Sequence, residues 1–220
     1  MSMITFSEEN YLKAIYHLGK FGNALVSTNA IADKMDTKAS SVTDMIKKLA
    51  EKELVAYTKY QGTTLTEKGR LTAATVIRKH RLWEVFLVEK LNFNWDEVHE
   101  VAEQLEHIKS EKLINQLDAF LEFPTHDPHG DPIPDKEGNF KKTNKELLAN
   151  LAKATHCICI GVKDSSSEFL RYLDKHKIAL GTAIEVLSKE TFDDSMVIQV
   201  AGKTLTISKE VSNNLYVKAQ

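Results

Sequence analysis

Hydrophobic residues recur at helical spacing through the first half of the chain and at strand spacing in its last third. Tyr11, Leu12, Ile15 and Leu18 follow a period of about 3.6 residues, which predicts an amphipathic first helix. Ser7 is the predicted N-cap of that helix. The chain therefore opens with a helix that buries one face.

Two shorter amphipathic segments follow, and they predict a helix-turn-helix. Thr28 starts the first of them, and Ser40 or Ser41 starts the second. Strand-like runs on either side of the Gln61-Gly62 turn then predict a small hairpin. A helix-turn-helix followed by a hairpin predicts a winged DNA-binding fold.

The middle of the chain is predicted to be helical up to a proline-rich segment. Thr66 opens a long helix that runs to about Lys90, and two further helices begin near Asn94 and Ser110. All four prolines lie between residues 124 and 134, which indicates a linker or an ordered, turn-rich connection.

The last third of the chain changes to short apolar runs punctuated by glycine. These runs cover 158–162, 184–187, 196–200 and 205–207, with one amphipathic helix within 165–177. They predict a small β-barrel. The predicted fold is mainly α with a small β part: a winged helix-turn-helix at 1–73, a helical domain with a proline-rich linker at 74–150, and a small β-barrel at 151–220.

Composition is that of a well-packed protein, with 42% hydrophobic and 27% charged residues in 220. No apolar run reaches the roughly 18 residues that span a bilayer, and the first residues lack a signal-peptide pattern, so we expect a cytoplasmic protein without membrane contact. Cys157 and Cys159 alternate along one predicted strand and are interpreted as packing residues.

The predicted winged domain carries a local excess of positive charge. Eight basic and five acidic residues lie between Lys34 and Arg70, although the whole chain has a net charge of -2. If the second short helix enters the major groove, its first turn meets base edges and its lysines meet phosphates of double-stranded DNA. A solvated charged helix is the alternative. The candidate DNA-binding residues are Thr28, Lys38, Ala39, Ser40, Ser41, Thr43, Asp44, Lys47, Lys48 and Lys59.

A second chemical signal lies in the central helices. Glu103, Glu106 and His107 have the i, i+3, i+4 spacing that puts donors on one helical face. His80 and Glu84 have the same spacing on the preceding helix. Without a cation, the clustered carboxylates would raise one another's pKa. These donors predict one or two metal sites.

Oxygen and imidazole donors without thiolate favour Mn²⁺ or Fe²⁺ over a closed zinc site. A metallohydrolase is an alternative, but it requires an additional general base that the sequence does not show. Four potential ligands in the proline-rich segment are interpreted as ordinary polar surface. They are His126, Asp127, His129 and Asp131.

The combined motifs resemble the diphtheria-toxin-repressor family of metal-dependent transcriptional regulators. The resemblance covers the whole chain. It rests on the helix-turn-helix and wing and on the motifs Tyr11-Leu12, Ile15-Tyr16, Arg78-Lys79-His80-Arg81-Leu82-x-Glu84, Val98-His99-Glu100, Leu105-Glu106-His107, Pro128-His129-Gly130 and Pro132-Ile133-Pro134.

The resemblance implies a metal-binding and dimerisation domain at 74–150 and a FeoA-like β-barrel at 151–220. It also implies two metal sites per subunit in a homodimeric repressor of metal-uptake genes. The first site matches Asn10, Glu103, Glu106 and His107, and the second matches His80, Glu84, His99 and Glu168. The iron-sensing branch has cysteine at the position of Glu103, so this chain resembles the manganese branch. The family usually has methionine or aspartate at the position of Asn10, which leaves metal-independent DNA binding as a further alternative.

The resemblance also implies how the switch works. Asn10 lies in the predicted DNA-binding domain, whereas Glu106 and His107 lie in the predicted dimerisation domain. A metal held by both would fix the angle between the domains and so the spacing of two recognition helices along operator DNA.

Overall fold

The computed structural model describes residues 4–22, 24–58, 61–141 and 144–220. The chain divides into two compact units. The first contains residues 1–81, 103–115 and 134–140, and the second contains residues 82–102, 116–133 and 141–220. The predicted domain boundaries at 73 and 150 stay a prediction.

The first unit begins with the predicted helix-turn-helix and wing. Helices α1 (Phe6–Leu18), α2 (Thr28–Lys34) and α3 (Ala39–Glu51) precede the antiparallel strands β1 (Val55–Thr58) and β2 (Gly62–Leu65). The apolar faces of these elements form one core, which includes Leu12, Ile15, Ile31, Val42, Ile46, Leu49 and Leu54. Burial of these side chains keeps the polar face of α3 at the surface.

Two predicted helix starts were wrong by a few residues. Thr5, rather than Ser7, caps α1: its side chain accepts the N–H of Glu8, and the Glu8 carboxylate accepts the N–H of Thr5. Helix α3 begins at Ala39 after Lys38, whose side chain makes no capping hydrogen bond, so neither Ser40 nor Ser41 is the cap. Thr28 does start α2, which Ser27 caps.

The central helices are α4 (Glu67–Leu91), α5 (Val98–Leu105) and α6 (Glu111–Phe120). The hydroxyl of Thr66 accepts the N–H of Gly69 at the start of α4, as predicted for that residue. Helix α5 is shorter than predicted. It ends at Leu105, whose carbonyl accepts the N–H of Ile108, so Glu106 and His107 occupy a turn and not the helix.

The second unit contains an open sheet, and the predicted closed β-barrel was wrong. Six strands pair in the order β3-β8-β4-β5-β6-β7, which leaves β3 and β7 at opposite edges. The strands are β3 (Glu146–Leu147), β4 (His156–Val162), β5 (Ala183–Lys189), β6 (Met196–Val200), β7 (Lys203–Ile207) and β8 (Leu215–Ala219). Helix α7 (Ser167–Lys175) follows β4, and the one-turn helix α8 (Lys209–Ser212) precedes β8.

The sheet buries a continuous apolar core that sequence patterning only partly identified. Cys157 and Cys159 are both buried free thiols, which confirms their packing role. Burial raises the pKa of the Cys157 thiol to about 11. Strand β8 lies between β3 and β4 in the sheet, yet its short Leu-Tyr-Val run gave no prediction.

The proline-rich segment is an ordered turn and not a flexible linker. Its two arms are joined by the N–H of Ile133 to the carbonyl of Thr125 and by the N–H of Asp127 to the carbonyl of Asp131. The N–H of Val162 donates to the carbonyl of His129, which fixes the turn to β4. Across the described residues, no helix combines the length and apolarity needed to cross a membrane.

Candidate metal centre and nucleic-acid interface

The turn after α5 brings two buried donors against α1 within the first unit. Glu106 has no exposed surface and His107 is 9% exposed. His107 Nδ1 lies 2.6 Å from Glu9 Oε2, and the Phe6 ring stacks on the imidazole with centroids 4.6 Å apart. Because Phe6 and Glu9 belong to α1, the packing of this helix orients His107.

Two lysine ammonium groups and the His80 imidazole contact the carboxylates of this cluster. His80 Nδ1 lies 2.6 Å from Glu106 Oε2. Lys13 Nζ lies 2.7 Å and 2.8 Å from the two oxygens of Glu106 and 3.4 Å from Glu103 Oε1. Lys109 Nζ lies 2.6 Å from Glu9 Oε1. Each buried carboxylate is thereby compensated within the chain.

This compensation corrects the expectation that crowded carboxylates raise one another's pKa. Burial by itself would raise the pKa of Glu106, but the hydrogen bond to His80 and the charge of Lys13 outweigh it and hold the pKa below its usual value. Glu106 is therefore an anion in the folded protein, which is the form that binds a cation.

Asn10 lies on the same face of α1 as Lys13, three residues earlier. Its Oδ1 atom is buried, and no described residue forms a hydrogen bond with it. A buried amide oxygen without a partner is costly and calls for a ligand. Amide and carboxylate oxygens with an imidazole are donors that Mn²⁺ and Fe²⁺ accept, and the predicted set of Asn10, Glu103, Glu106 and His107 supplies these types. The residues fit a divalent metal.

A second donor group lies in the second unit and includes two residues that the sequence analysis assigned to ordinary surface. Ligand atoms of Glu84, Asp127 and His129 all lie within 4.8 Å of one another, and all three residues are buried. His99 Nδ1 lies 3.3 Å from Glu84 Oε1, although His99 itself is exposed.

The turn geometry explains how Asp127 and His129 reach this position. Asp127 Oδ1 accepts the N–H groups of His129 and Asp131, both at 2.9 Å. The His129 ring stacks on Trp95 and its Nε2 lies 2.8 Å from the Trp95 carbonyl oxygen. The Asp-x-His spacing next to Gly130 was the available signal, but only the closed turn shows that these side chains point inward.

His80 and Glu168 are the remaining residues of the predicted second site. His80 precedes Glu84 by one turn of α4, and its imidazole contacts Glu106. Glu168 is exposed in the first turn of α7. The ligand set His80, Glu84, His99 and Glu168 stays a prediction.

The predicted DNA-reading face is at the surface of the first unit. Ser40, Ser41 and Asp44 are exposed on α3, and Lys47 and Lys48 are exposed one turn later. Lys38 and Ala39 are exposed at the start of that helix, and Thr28 is half-buried on α2. Two candidate readers already have local partners: the Thr43 hydroxyl donates to the Ala39 carbonyl, and Asp44 pairs with Lys47 at 3.3 Å. Lys59 lies outside the described residues.

Exposed apolar side chains mark a second surface near the end of α6. Phe120 and Phe123 are 60% and 65% exposed, and Leu91 at the end of α4 is 52% exposed. Large exposed aromatic side chains are typical of surfaces that pack against a partner.

These features define the class of metal-dependent, DNA-binding regulators. Three family models match the chain in order. They are the iron dependent repressor N-terminal DNA binding domain at residues 3–63, the iron dependent repressor metal binding and dimerisation domain at 66–135, and the FeoA domain at 147–219. The chain belongs to the iron-dependent repressor family, which includes the diphtheria toxin repressors and confirms the resemblance.

Individual relatives of the chain are named as repressors of the same family. The chain is 35% identical over 134 residues to the iron-dependent repressor IdeR of Mycobacterium tuberculosis, which covers 61% of this chain and 58% of that protein. It is 32% identical over 126 residues to the diphtheria toxin repressor of Corynebacterium jeikeium, covering 57% and 52%. The chain thus matches less than two thirds of the length of these curated relatives. The matched repressor domains and the relatives named here are those of DNA-binding repressors and not of enzymes, so they do not favour the metallohydrolase alternative.

A solved structure shares the architecture over its full length. A manganese-dependent transcriptional repressor in complex with manganese is 33% identical, with a TM-score of 0.83 over 97% of this chain and 100% of that chain.

Proposed function

We propose that this chain is a metal-activated transcriptional repressor that binds a palindromic operator as a homodimer in the cytoplasm and controls metal-uptake genes. The observation that carries the proposal is the contact between α1 and the turn after α5. Asn10 and Glu9 come from the DNA-binding segment, whereas Glu106 and His107 come from the metal-binding and dimerisation segment.

A bound divalent cation would supply positive charge to Glu106, His107, Glu103 and the unpartnered amide oxygen of Asn10. Those side chains would then tie α1 to the turn after α5. Because α1 packs on the helix-turn-helix, this tie would restrict where α3 can lie relative to the dimer. The exposed lysines of α3 would neutralise phosphates, and Ser40, Ser41 and Asp44 would meet base edges.

Manganese is our proposed metal, with Fe²⁺ as the alternative. Glu103 supplies a hard oxygen at the position where the iron-sensing branch has a thiolate, and hard oxygen donors suit Mn²⁺. The manganese-dependent repressor that shares the fold over 97% of this chain supports this choice. Two metal ions per subunit are proposed, because donors gather both around Glu106 and around Glu84.

Metal-independent DNA binding is the second candidate function. Lys13 favours it, because its ammonium already neutralises Glu106 without a metal. Asn10 favours it too, since a neutral amide attracts a cation less strongly than a carboxylate.

Operator titration separates the two candidates. DNA duplexes that bind the full chain in excess Mn²⁺ would first be selected from a random-sequence pool. The selected duplexes would then be labelled and titrated with the full chain in Mn²⁺, Fe²⁺ or chelator. We expect affinity to rise by about five- to hundredfold with metal, the usual range of allosteric coupling. Equal affinity in chelator would eliminate the switch and establish the metal-independent alternative.

A further inference from the structure

Lys13 lies where a divalent cation would meet Glu106. Its ammonium contacts both carboxylate oxygens, at 2.7 Å and 2.8 Å, and reaches Glu103 at 3.4 Å. These are the same oxygens that the proposed function assigns to the metal. Because the ammonium already contacts both oxygens of Glu106, a metal ion bound to either oxygen would meet a second positive charge at close range, and the repulsion between the two charges opposes metal binding.

The burial of the cluster makes this competition strong. Glu106 is fully buried, and the Lys13 side chain is only 15% exposed, so solvent screens their interaction poorly. In the absence of metal, Lys13 therefore prevents Glu106 from being an uncompensated buried anion, and it joins α1 to the turn after α5. In the presence of metal, the same charge opposes binding.

The lysine can yield its position. It lies on the face of α1 next to Asn10, and a four-carbon flexible stem carries its ammonium. Glu103, the more distant of its two partners, has a side chain that is 51% exposed, which indicates the direction in which the ammonium can move toward solvent.

We propose that Lys13 is a tethered competitor of the metal: its ammonium must leave Glu106 before a divalent cation binds, and it thereby raises the metal concentration at which the regulator switches. This inference rests on the proposed function, because it assumes that Glu106 is a metal ligand. It goes further by assigning the threshold to one residue outside the predicted ligand set.

The test compares Mn²⁺ binding and stability in the full chain. K13M, K13Q and K13R would be titrated with Mn²⁺ by calorimetry and by the loss of the free-ion electron paramagnetic resonance signal, after preparation in chelator. Removing one adjacent positive charge should tighten Mn²⁺ binding by about tenfold or more in K13M and K13Q, whereas K13R should stay near the parent. The same neutral variants should melt at a lower temperature in chelator.

A matched control is Lys52, which lies at the end of α3 and pairs with a carboxylate of α1. Lys52 Nζ lies 2.7 Å from Oε1 of Glu8, another buried carboxylate of α1, but Glu8 is not among the proposed ligands. K52M should also lower the melting temperature in chelator and leave Mn²⁺ affinity unchanged. A purely structural role for Lys13 would make K13M behave like K52M.

The outcomes separate the inference from the function on which it rests. If the parent binds Mn²⁺ at the Glu106 group, E106Q loses that equivalent, and K13M and K13Q bind Mn²⁺ there no more tightly than the parent, the inference is wrong and the proposed function stands. If E106Q binds as well as the parent, or no variant binds, the proposed site is wrong and the inference falls with it. K13Q retains a polar side chain and is the deciding variant if circular dichroism shows K13M unfolded.

Discussion

The two donor groups of this chain balance their charges in different ways. In the first unit, Glu106 and Glu9 each contact a lysine ammonium as well as an imidazole. In the second unit, Glu84 contacts the imidazoles of His99 and His129, and Asp127 accepts backbone N–H groups of its own turn. One group is an ion-pair network, whereas the other is built around imidazoles and a closed turn.

The comparison shows that similar ligand types can carry different costs of metal binding. If metal binds at the first group as proposed, the cation replaces an ammonium, and the metal affinity then depends on the exchange of one positive charge for another. If metal binds at the second group, its affinity depends on how rigidly the turn holds Asp127 and His129, since preorganised donors lose little freedom on binding. The predictions below test this contrast.

The largest expected effect comes from the glycine that lets the turn approach β4. Gly130 has φ +83°, and a Cβ added there would lie 2.1 Å from the Ile160 carbonyl oxygen. G130A should destabilise the chain by about 3 kcal/mol or more, because two backbone segments must separate. Urea unfolding would measure the loss, and Mn²⁺ titration should show the second group affected and the first retained.

The matched control for G130A is G202A. Gly202 has a similar φ of +76°, but a Cβ there meets nothing within 4 Å. It reports the conformational strain alone, which is about 1 kcal/mol for a non-glycine residue at positive φ. Equal destabilisation by G130A and G202A would contradict the close approach of turn and strand.

The second prediction compares the two donor groups by removing the charge of one carboxylate in each. E106Q should weaken Mn²⁺ binding by about a hundredfold and abolish metal-dependent operator binding, because it removes the charge that both the metal and Lys13 require. E84Q should instead remove one Mn²⁺ equivalent while the first group keeps its affinity. Calorimetric stoichiometry distinguishes the two, and loss of both equivalents in either variant would show that the groups are not independent.

The smallest expected effect is on thiol labelling in β4, the strand to which the proline-rich turn is hydrogen-bonded. The Cys157 thiol on β4 has a pKa raised to about 11 by burial, so only about one thiol in a thousand is ionised at pH 8. Labelling by iodoacetamide should be slow in the native protein and fast in urea. It should accelerate as pH rises toward 11, and rapid labelling at pH 8 would show that β4 opens readily.

Much of the fold is visible in the sequence because it depends on local periodicity. The helices of the winged domain, the hairpin and the start of α4 at Thr66 follow from apolar spacing and capping chemistry. The cap of α1 was misplaced because Thr5 and Ser7 are both good N-cap residues and only the position of Glu8 decides between them.

The donor groups were less accessible to sequence reasoning because their contacts are long-range. Lys13 and Glu106 are 93 positions apart, and no local pattern links them. Asp127 and His129 were correctly predicted to lie in a turn, and turn residues are usually exposed. Here the packing of the turn on β4 and Trp95 directs their side chains inward. The barrel was predicted because alternating short strands do not reveal whether the first and last strands pair.

The position of Glu106 and His107 in a turn bears on the size of the ion that the two side chains could hold. Residues inside a helix keep a fixed separation, since any change breaks backbone hydrogen bonds on both sides. Here one bond, from the Ile108 N–H to the Leu105 carbonyl at 3.1 Å, closes the loop around both donors. If both side chains bind the metal as proposed, a few backbone torsions would be enough to change the distance between carboxylate and imidazole, with α5 left intact.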